Sequence, residues 1–474
     1  MKIDNLMKRM ISLFLLLFIA AGAVSSCAKA PEKKSLTVEG AIFGGKSDDK
    51  IAVEAAFDPE WITSDNNTKY NPDLAQFCAL LSADSYFREK DLAKGTQNRV
   101  LAEGSDPAAY TPTALLENIG FTETEHYESY LVQTDPTDSN DSVTLNAGHL
   151  TEGKNDVFVF VIRGCFSAQE WCSAFDPGCS GAGYEELTGA HPEWTVKEHY
   201  KGYDVAANRA MEYIRSFMKE NGDDALTDCV LITGHSRGGA IANLLGAELE
   251  REGKARTCTY TFNTPLTTSA SDADGYKTVF NVFDTLDFFT DPFPFGKEEF
   301  HRYGTDKTLP VALTDSLLSA ISEKKGRDDY ASVDAGQYRE LFAKRFPSRD
   351  MLCDSVSVLN SFETEEEAAA SRENTLLLVG SEQGLGLADL CKVGEVVKTE
   401  DGKYAYSFEY CGLALLRSYA KLLAYGDAAY GAVTGLFASD AAGCEIADWL
   451  HANLAGINGG HLLINSYLLA GWLK

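Results

Sequence analysis

Positively charged side chains are scarce in this chain of 474 residues. Lys and Arg together number 42 against 70 Asp and Glu, which gives a formal net charge of −28. Binding to nucleic acid, or to anionic lipid through charge, requires clustered Lys and Arg, so the composition argues against both. Hydrophobic residues nevertheless make up 45% of the chain. That fraction suffices for a large core, and the length of the chain allows two or three domains.

Residue spacings typical of metal sites are missing as well. No CxxC or HxxxH pattern occurs, so the ten cysteines after Cys27 predict no metal site. In an exported protein these cysteines can instead form disulfides, and Cys172 and Cys179, on either side of a Pro-Gly turn, are the favoured pair. Several others have the pattern of small buried hydrophobic residues.

Long apolar runs are rare, and the clearest one lies near the N-terminus. The run ISLFLLLFIAAGAV follows Lys8 and Arg9, is too short to be a comfortable membrane span, and predicts a signal peptide over residues 1–26. It ends in VSSC, which resembles the lipobox of bacterial lipoproteins. The resemblance implies a diacylglycerol on Cys27 and an exported protein anchored to a membrane surface of the cell envelope. An ordinary signal peptide followed by a chance cysteine is the alternative.

Patterning divides the rest of the chain into four parts. Residues 27–60 begin polar and patternless, which predicts a tether. Residues 61–310 carry near-continuous apolar runs such as DVFVFVIRG and CVLIT, separated by helical patterns, which is typical of a doubly wound, mostly parallel α/β sheet. Residues 311–450 predict a large helical insertion, either a cap or lid over the site or an extra layer at its side. Residues 451–474 are expected to return to the core.

The segment ITGHSRGGAIANLL places one serine on a sharp bend. A buried strand ends there and an Ala-rich helix begins, with Gly234 and Gly238 on either side of Ser236. Glycine at both positions removes the steric clash of a strand-to-helix turn. The bend also holds the hydroxyl beside the N-terminus of the helix, where N–H groups and the helix dipole stabilise negative charge. This context predicts that Ser236 is a nucleophile.

Together with other motifs, this segment resembles the class 3 lipases, the fungal-type family of α/β-hydrolases. VFVIRGCFSAQEW resembles the family's oxyanion turn, EHYKGYDVAANRAMEYI the segment before the elbow, FNVFDTLDFFTDPFP the segment that holds the acid, and NPDLAQFCALLSADSY the N-terminal helix. The resemblance covers approximately residues 70–305 and the end of the chain, and it leaves out the insertion. It implies an α/β-hydrolase fold and a Ser–His–Asp mechanism that needs no cofactor or metal.

The resemblance also implies an oxyanion hole formed by the backbone N–H groups of Cys165 and Arg237. Both side chains depart from the family pattern, which has Thr or Ser at the first position and Leu at the second. A thiol is a weak hydrogen-bond donor, so we expect little help from the Cys165 side chain. We expect the guanidinium of Arg237 to lie near the mouth of the site and to alter substrate choice.

The acid is predicted from the chain order that this fold requires, which is Ser, then Asp, then His. The family's acid falls six residues after Asn281, directly before two apolar residues, and only Asp287 fits that place. Asp284 and Asp291 are close rivals in the same segment.

Three histidines follow the acid and compete for the role of base. His461 matches the family's histidine at the start of the last helix, with Tyr467 as the tyrosine a few residues on. The preceding GINGG predicts a flexible loop, which lets the imidazole reach both Ser236 and Asp287. His301 is interpreted as local structure, and His451 as a residue at the end of a helix.

The leading hypothesis is a surface-tethered serine esterase that hydrolyses acyl lipids, as a lipase does. One alternative is an esterase for small or glycan-borne acyl groups. Another is a catalytically idle binding protein of the cell envelope that has the same fold. The complete set of serine, acid and histidine argues against the idle protein. No feature of the sequence indicates an oligomeric state.

Overall fold

Strands and helices alternate through the computed structural model, which describes residues 34–40, 51–86, 111–132, 141–177, 198–285, 287–293, 295, 299–309, 334–380, 385–461 and 466. The strands are β1 (Lys34–Gly40), β2 (Ile51–Phe57), β3 (Glu123–Val132), β4 (Asp141–Glu152), β5 (Asn155–Ile162), β6 (Thr227–His235), β7 (Arg256–Phe262), β8 (Val279–Phe283), β9 (Thr305–Thr308), β10 (Ser355–Phe362), β11 (Cys391–Val393), β12 (Val397–Lys398) and β13 (Tyr404–Cys411). The predicted signal peptide, Cys27, Cys179 and Tyr467 lie outside the described residues.

Helices precede, separate and follow these strands. They are α1 (Glu60–Thr63), α2 (Pro72–Asp84), α3 (Pro112–Asn118), α4 (Ala168–Ala174), α5 (Lys201–Asn221), α6 (Arg237–Glu252), α7 (Ala335–Arg345), α8 (Glu365–Gly380), α9 (Gly412–Tyr425), α10 (Asp427–Leu436) and α11 (Ala441–Gly460). Short 3-10 turns span Ala273–Gly275, Phe288–Thr290 and Arg349–Leu352.

A seven-stranded sheet with the order β3-β4-β5-β6-β7-β8-β9 organises the fold. The strands from β5 to β9 run parallel, and β3 and β4 add an antiparallel edge. Helices α5 and α6 connect β5 to β6 and β6 to β7, as parallel neighbours require. The protein has an α/β-hydrolase fold with a mostly parallel sheet, as predicted.

The central strands are apolar because both of their faces are covered. On β5, Phe158 and Phe160 pack into a hydrophobic core that also contains residues of α5 and α6. Val157 and Val159, which alternate with them, pack on the other face in a second core with residues of α2. Successive side chains of a strand point to opposite faces, so a strand between two helical layers has few places for polar residues.

The insertion at residues 311–450 differs from the prediction in one respect, because it is not helical throughout. Between its helices lies a four-stranded antiparallel sheet in which β13 pairs with β10, β11 and β12. Burial alternates from residue to residue along β10, as in a half-exposed strand, but Leu359 and Asn360 interrupt the period-2 alternation of polar and apolar residues in SVSVLNSF. That signal is weaker than the helical patterns around it, which is why the segment was predicted as helical.

Two predicted boundaries also need correction. Strand β2 ends at Phe57, whose fully buried ring stacks on Phe77 at 4.7 Å between ring centroids and contacts Phe121, so the core begins inside the predicted tether. At the other end, α11 continues through Gly460, so the predicted flexible loop GINGG is helical. The boundary predicted at residue 450 therefore lies within this helix.

No disulfide joins two of the described cysteines. Cys172 is buried, and its thiol donates to the carbonyl oxygen of Arg417 at 3.9 Å. Its predicted partner Cys179 lies outside the described residues, so the pairing stays a prediction. None of the described helices combines the length and the apolar character that a membrane span requires.

Replacing Phe57 tests whether the end of the predicted tether belongs to the core. We expect Phe57→Ala to lower the free energy of unfolding by about 3–5 kcal/mol, because it removes a buried ring and leaves a cavity. Urea denaturation measures the change. Leu359→Ala, at a position 63% exposed, is the control and should stay within about 0.5 kcal/mol of the parent. Equal stability of the two variants would show that residues 51–57 are not part of the core.

Candidate active site

The strand-to-helix bend at Ser236 has the strained geometry that the glycines predict. Ser236 lies between the end of β6 and the start of α6, with φ 57° and ψ −127°. A Cβ atom at Gly234 would overlap the carbonyl group of Gly238, and one at Gly238 would overlap the carbonyl oxygen of Ile162. The two glycines therefore allow a backbone contact that no larger residue permits. The first N–H groups of α6 point towards this bend and lack acceptors within the helix.

Asp287 and His461 are joined by a short hydrogen bond. The Nδ1 atom of His461 lies 2.6 Å from Oδ2 of Asp287, and the two residues are 174 positions apart in the chain. The other carboxylate oxygen of Asp287 accepts the backbone N–H of Phe289 at 2.9 Å and caps the 3-10 turn Phe288–Thr290. A carboxylate can only accept here, so Nδ1 of His461 carries the proton and a neutral ring has its lone pair on Nε2.

The Nε2 atom of His461 is buried and has no hydrogen-bond partner among the described residues. The predicted hydrogen bond between Ser236 and His461 is therefore not formed in this structure. The ring of His461 lies 4.6 Å from the ring of His235, which precedes Ser236 in the chain. Catalytic hydrogen bonds of this kind are often long without substrate and tighten in the complex.

His235 connects the serine bend to the histidine at the end of α11. Its Nε2–H donates to the backbone carbonyl of His461 at 2.9 Å, and its Nδ1 lies 2.8 Å from the hydroxyl of Tyr86. Burial lowers the pKa of His235 well below its ordinary value, and the nearby ring of His461 lowers it further. His235 is therefore neutral, and its Nδ1 accepts the proton of the Tyr86 hydroxyl.

The loop that carries Cys165 is held by a buried carboxylate. Glu170, on α4, accepts the backbone N–H groups of Phe166 at 2.5 Å and Ser167 at 3.2 Å, and it pairs with Arg163 at 2.9 Å. Ser167 in turn caps α4, so the two residues form a capping box. The thiol of Cys165 donates to the carbonyl oxygen of Glu170 at 3.4 Å. That bond turns the thiol back towards its own loop.

The side chain of Arg237 does not lie near the mouth of the site, and this expectation was wrong. The guanidinium is 1% exposed, donates to the carbonyl oxygen of Ser142 at 2.6 Å, and forms an ion pair with Asp141 at 2.7 Å. Burial raises the pKa of Asp141 to about 6, although Arg237 acts in the opposite direction. The side chain of Arg237 thus leads away from Ser236 into the interior near the start of β4.

The rival acid and base residues have other contacts. Asp291 forms an ion pair with Arg339 at 3.7 Å. The backbone N–H of Asp284 donates to the side-chain oxygen of Asn263 at 3.4 Å. His301 is exposed and forms a backbone bridge to Thr268. His451 pairs with Asp427 in the insertion at 2.6 Å. The structure therefore joins Asp287 to His461 and to neither of the rival histidines.

Aromatic rings surround the histidine. Phe289 lies 4.5 Å from the ring of His461, and the partly buried Trp171 lies 4.8 Å from Phe289. Phe166, next to Cys165, is 38% exposed. These rings give the site an apolar wall. The described residues hold no group of three or more His, Cys, Asp or Glu side chains arranged to bind a metal ion.

Part of the chain matches a known family. Residues 159–294 match the family model of the class 3 lipases. This segment contains Cys165, Ser236 and Asp287 but not His461, and it covers less than a third of the chain. With the fold and the serine bend, the match supports a lipase-like hydrolase. No curated protein matches the chain.

Several solved lipases are similar to this chain. The mono- and diacylglycerol lipase of Aspergillus oryzae has 13% identity over 51% of this chain and 80% of its own, with a TM-score of 0.32. The lipase of Rhizomucor miehei in its propeptide complex has 16% identity over 50% and 67%, with a TM-score of 0.31. The lipase of Rhizopus microsporus var. chinensis has 16% identity over 50% and 74%, with a TM-score of 0.28. The strand order and the bend, rather than these similarities, define the fold.

Sequence reasoning missed two groups of residues at the site. Glu170 had a local signal, because SAQE after the oxyanion turn has the spacing of a capping box. Tyr86 had none, because its partner His235 is 149 positions away.

The neutral state of His235 predicts how stability depends on pH. The folded-state pKa is lowered, so below about pH 6.5 the unfolded chain binds a proton that the folded chain does not. The stabilising contribution is present above that pH and is lost as pH falls. We expect the free energy of unfolding of the parent to fall more steeply below about pH 6.5 than that of His235→Gln. Denaturation across this range measures it, with the exposed His301→Gln as the control. Parallel curves for the parent and His235→Gln would contradict the prediction.

Proposed function

We propose that this chain is a serine carboxylic ester hydrolase that acts on acyl lipids through a Ser–His–Asp mechanism. The observation that carries the proposal is the hydrogen bond between Asp287 and His461, in a fold that also holds Ser236 at a strained bend between strand and helix. A serine hydroxyl is a weak nucleophile near neutral pH, and a histidine held in one tautomer by a carboxylate is the group that activates it. The match of residues 159–294 to the class 3 lipases supports the same chemistry.

In the proposed reaction, Oγ of Ser236 attacks the carbonyl carbon of the ester while Nε2 of His461 takes the hydroxyl proton. Asp287 holds the Nδ1–H tautomer and stabilises the imidazolium that forms. The backbone N–H groups of Cys165 and Arg237 bind the oxyanion, each lowering the barrier by about 3 kcal/mol. His461 gives this proton to the leaving alcohol, and an acyl-enzyme remains. A water molecule then attacks the acyl-enzyme while His461 takes its proton. His461 returns the proton to Oγ of Ser236 as the carboxylic acid leaves.

The substrate class is inferred from the surroundings of the histidine. Phe289 and Trp171 provide an apolar wall at the site, and Phe166 exposes a ring beside the oxyanion loop. Such surfaces favour a long acyl chain over an acetyl group, because burial of each methylene contributes about 0.8 kcal/mol.

Hydrolysis of nitrophenyl esters with short and long acyl chains tests the function. We expect turnover with a higher kcat/KM for the long chain, and we expect Ser236→Ala to lower kcat by about four orders of magnitude or more while the fold is kept. A preference for the acetyl ester would indicate a small-molecule or glycan acyl esterase. Absence of turnover would indicate an idle binding protein. Labelling of Ser236→Ala by a fluorophosphonate as strong as that of the parent would refute the nucleophile.

A pair of matched variants serves as the control for the acid. Asp287→Asn should lose far more activity than Asp284→Asn, because only Asp287 bonds to His461. Thermal unfolding of both variants separates loss of activity from loss of fold. Equal losses in two folded variants would rule out Asp287 as the acid.

We also propose that Cys27 anchors the protein to a membrane surface of the bacterial cell envelope. The support is the sequence VSSC after a signal-peptide pattern. One diacylglycerol together with an amide-linked chain gives stable anchoring, whereas a single chain does not. Mass spectrometry of protein from the native host should find Cys27 as a lipid-modified N-terminus, and Cys27→Ser should release the protein from membranes. A mature N-terminus at another residue would exclude the anchor.

A further inference from the structure

Helix α7 of the insertion packs on the segment that carries Asp287. One face of this region carries three aromatic side chains spaced four residues apart, and each of them is fully or almost fully buried. They are Tyr338, Phe342 and Phe346. Tyr338 contacts Phe288 edge-on, with 4.9 Å between ring centroids, and Phe342 lies 5.0 Å from Phe293. The residues directly after Asp287 are therefore covered by the insertion and not by the hydrolase core alone.

Arg339, on the same helix, spans the 3-10 turn that follows Asp287. Its Nε donates to the carbonyl oxygen of Asp291 at 3.1 Å, and its Nη2 reaches the carbonyl oxygen of Asp287 at 3.4 Å. These carbonyl groups lie at the two ends of the turn Phe288–Thr290. A planar guanidinium presents its donors in a fixed geometry, so bonds to both ends hold the length and orientation of the turn. From the core side, Arg302 donates to the carbonyl oxygen of Thr290.

Helix α7 also contacts the helix that leads to His461. The ring of Tyr338 lies 5.5 Å from Trp449 on α11. Helix α11 continues to Gly460, and the backbone N–H of His461 bonds to the carbonyl oxygen of Ile457 at 3.2 Å. A single side chain, Tyr338, thus lies between the turn that carries the acid and the helix that carries the base.

We propose that α7 is a positioning element of the active site, in which Arg339 and Tyr338 hold Asp287 and His461 in register. The inference rests on the proposed function for its catalytic meaning, although the geometry of the pair is independent of it. The Asp287–His461 bond of 2.6 Å joins two segments that are far apart in the chain. The length of this bond depends on elements that contact both segments. Helix α7 contacts both, through Phe288 after Asp287 and through Trp449 on α11.

Arg339→Gln tests the proposal, and Arg345→Gln is its matched control. Both arginines lie on α7, with side chains 24% and 20% exposed, and both lose one positive charge. Arg345 instead pairs with Asp440 inside the insertion at 2.6 Å and has no role in the turn after Asp287. A general effect of charge or of helix stability should therefore appear in both variants.

We expect Arg339→Gln to lower kcat by about 10- to 100-fold, with little change in KM, because a small displacement of the acid impairs proton transfer more than substrate binding. Arg345→Gln should keep the parent kcat. Arg339→Lys keeps the charge but has no planar pair of donors, so we expect its kcat to lie between those of the two glutamine variants. Thermal unfolding of all three variants establishes that they are folded.

The NMR signal of the His461 Nδ1 proton gives a readout that does not depend on turnover. A proton in a short bond to a carboxylate resonates at low field, and we expect the signal to move or disappear in Arg339→Gln and to remain in Arg345→Gln. A parent-like kcat and signal in Arg339→Gln, or equal losses in both variants, would overturn the proposal. If the parent hydrolyses no ester, the proposed function fails, while the signal still decides whether Arg339 positions the pair.

Discussion

The backbone contact between Gly234 and Gly238 is the constraint around which the site is arranged. It brings the end of β6 against the first turn of α6 and leaves Ser236 at a positive φ. The same first turn meets the carbonyl group of Ile162 at the end of β5, where the loop that carries Cys165 begins. One bend therefore sets the serine hydroxyl, the helix N-terminus and the loop beside each other. Any side chain at either glycine would separate them.

Buried charges behind the bend are arranged in pairs, and each pair supports backbone geometry. Burial opposes ionisation of Glu170, but Arg163 and Arg237 hold its pKa below the ordinary value. The charged carboxylate then accepts the N–H groups of Phe166 and Ser167, in the loop that carries Cys165. Arg237 meets Asp141 at the start of β4. Since a buried charge without a partner costs several kcal/mol, these pairs hold the loop and the neighbouring strands in a single arrangement.

The insertion is joined to the hydrolase core by a shared hydrophobic core. Tyr338 and Phe342 of α7, and Leu415 and Leu416 of α9, belong to the same cluster of buried residues as Ile232 of β6. The contact between Cys172 on α4 and the backbone of Arg417 on α9 lies within this region. An insertion that is packed in this way also contacts the segment after Asp287, through Tyr338 and Phe288. A moving lid remains a prediction from the sequence.

The sequence by itself determined the features that depend on a few neighbouring residues. Glycine on both sides of Ser236 dictates the bend, and the apolar runs of β5 and β6 dictate strands covered on both faces. Family spacing singled out Asp287 and His461, and the structure brings their side chains together.

The sheet in the insertion was missed because a two-residue period is short and easily masked by helical patterns around it. The prediction of a flexible loop before His461 was wrong, since these residues are helical. Tertiary context can override the low helix propensity of glycine. Only the tertiary structure decided that Arg237 points inward to Asp141, that His235 joins Tyr86 to the backbone of His461, and that Arg339 spans the acid turn. These contacts join residues tens to hundreds of positions apart, and their energies depend on burial and distance, which local sequence does not specify.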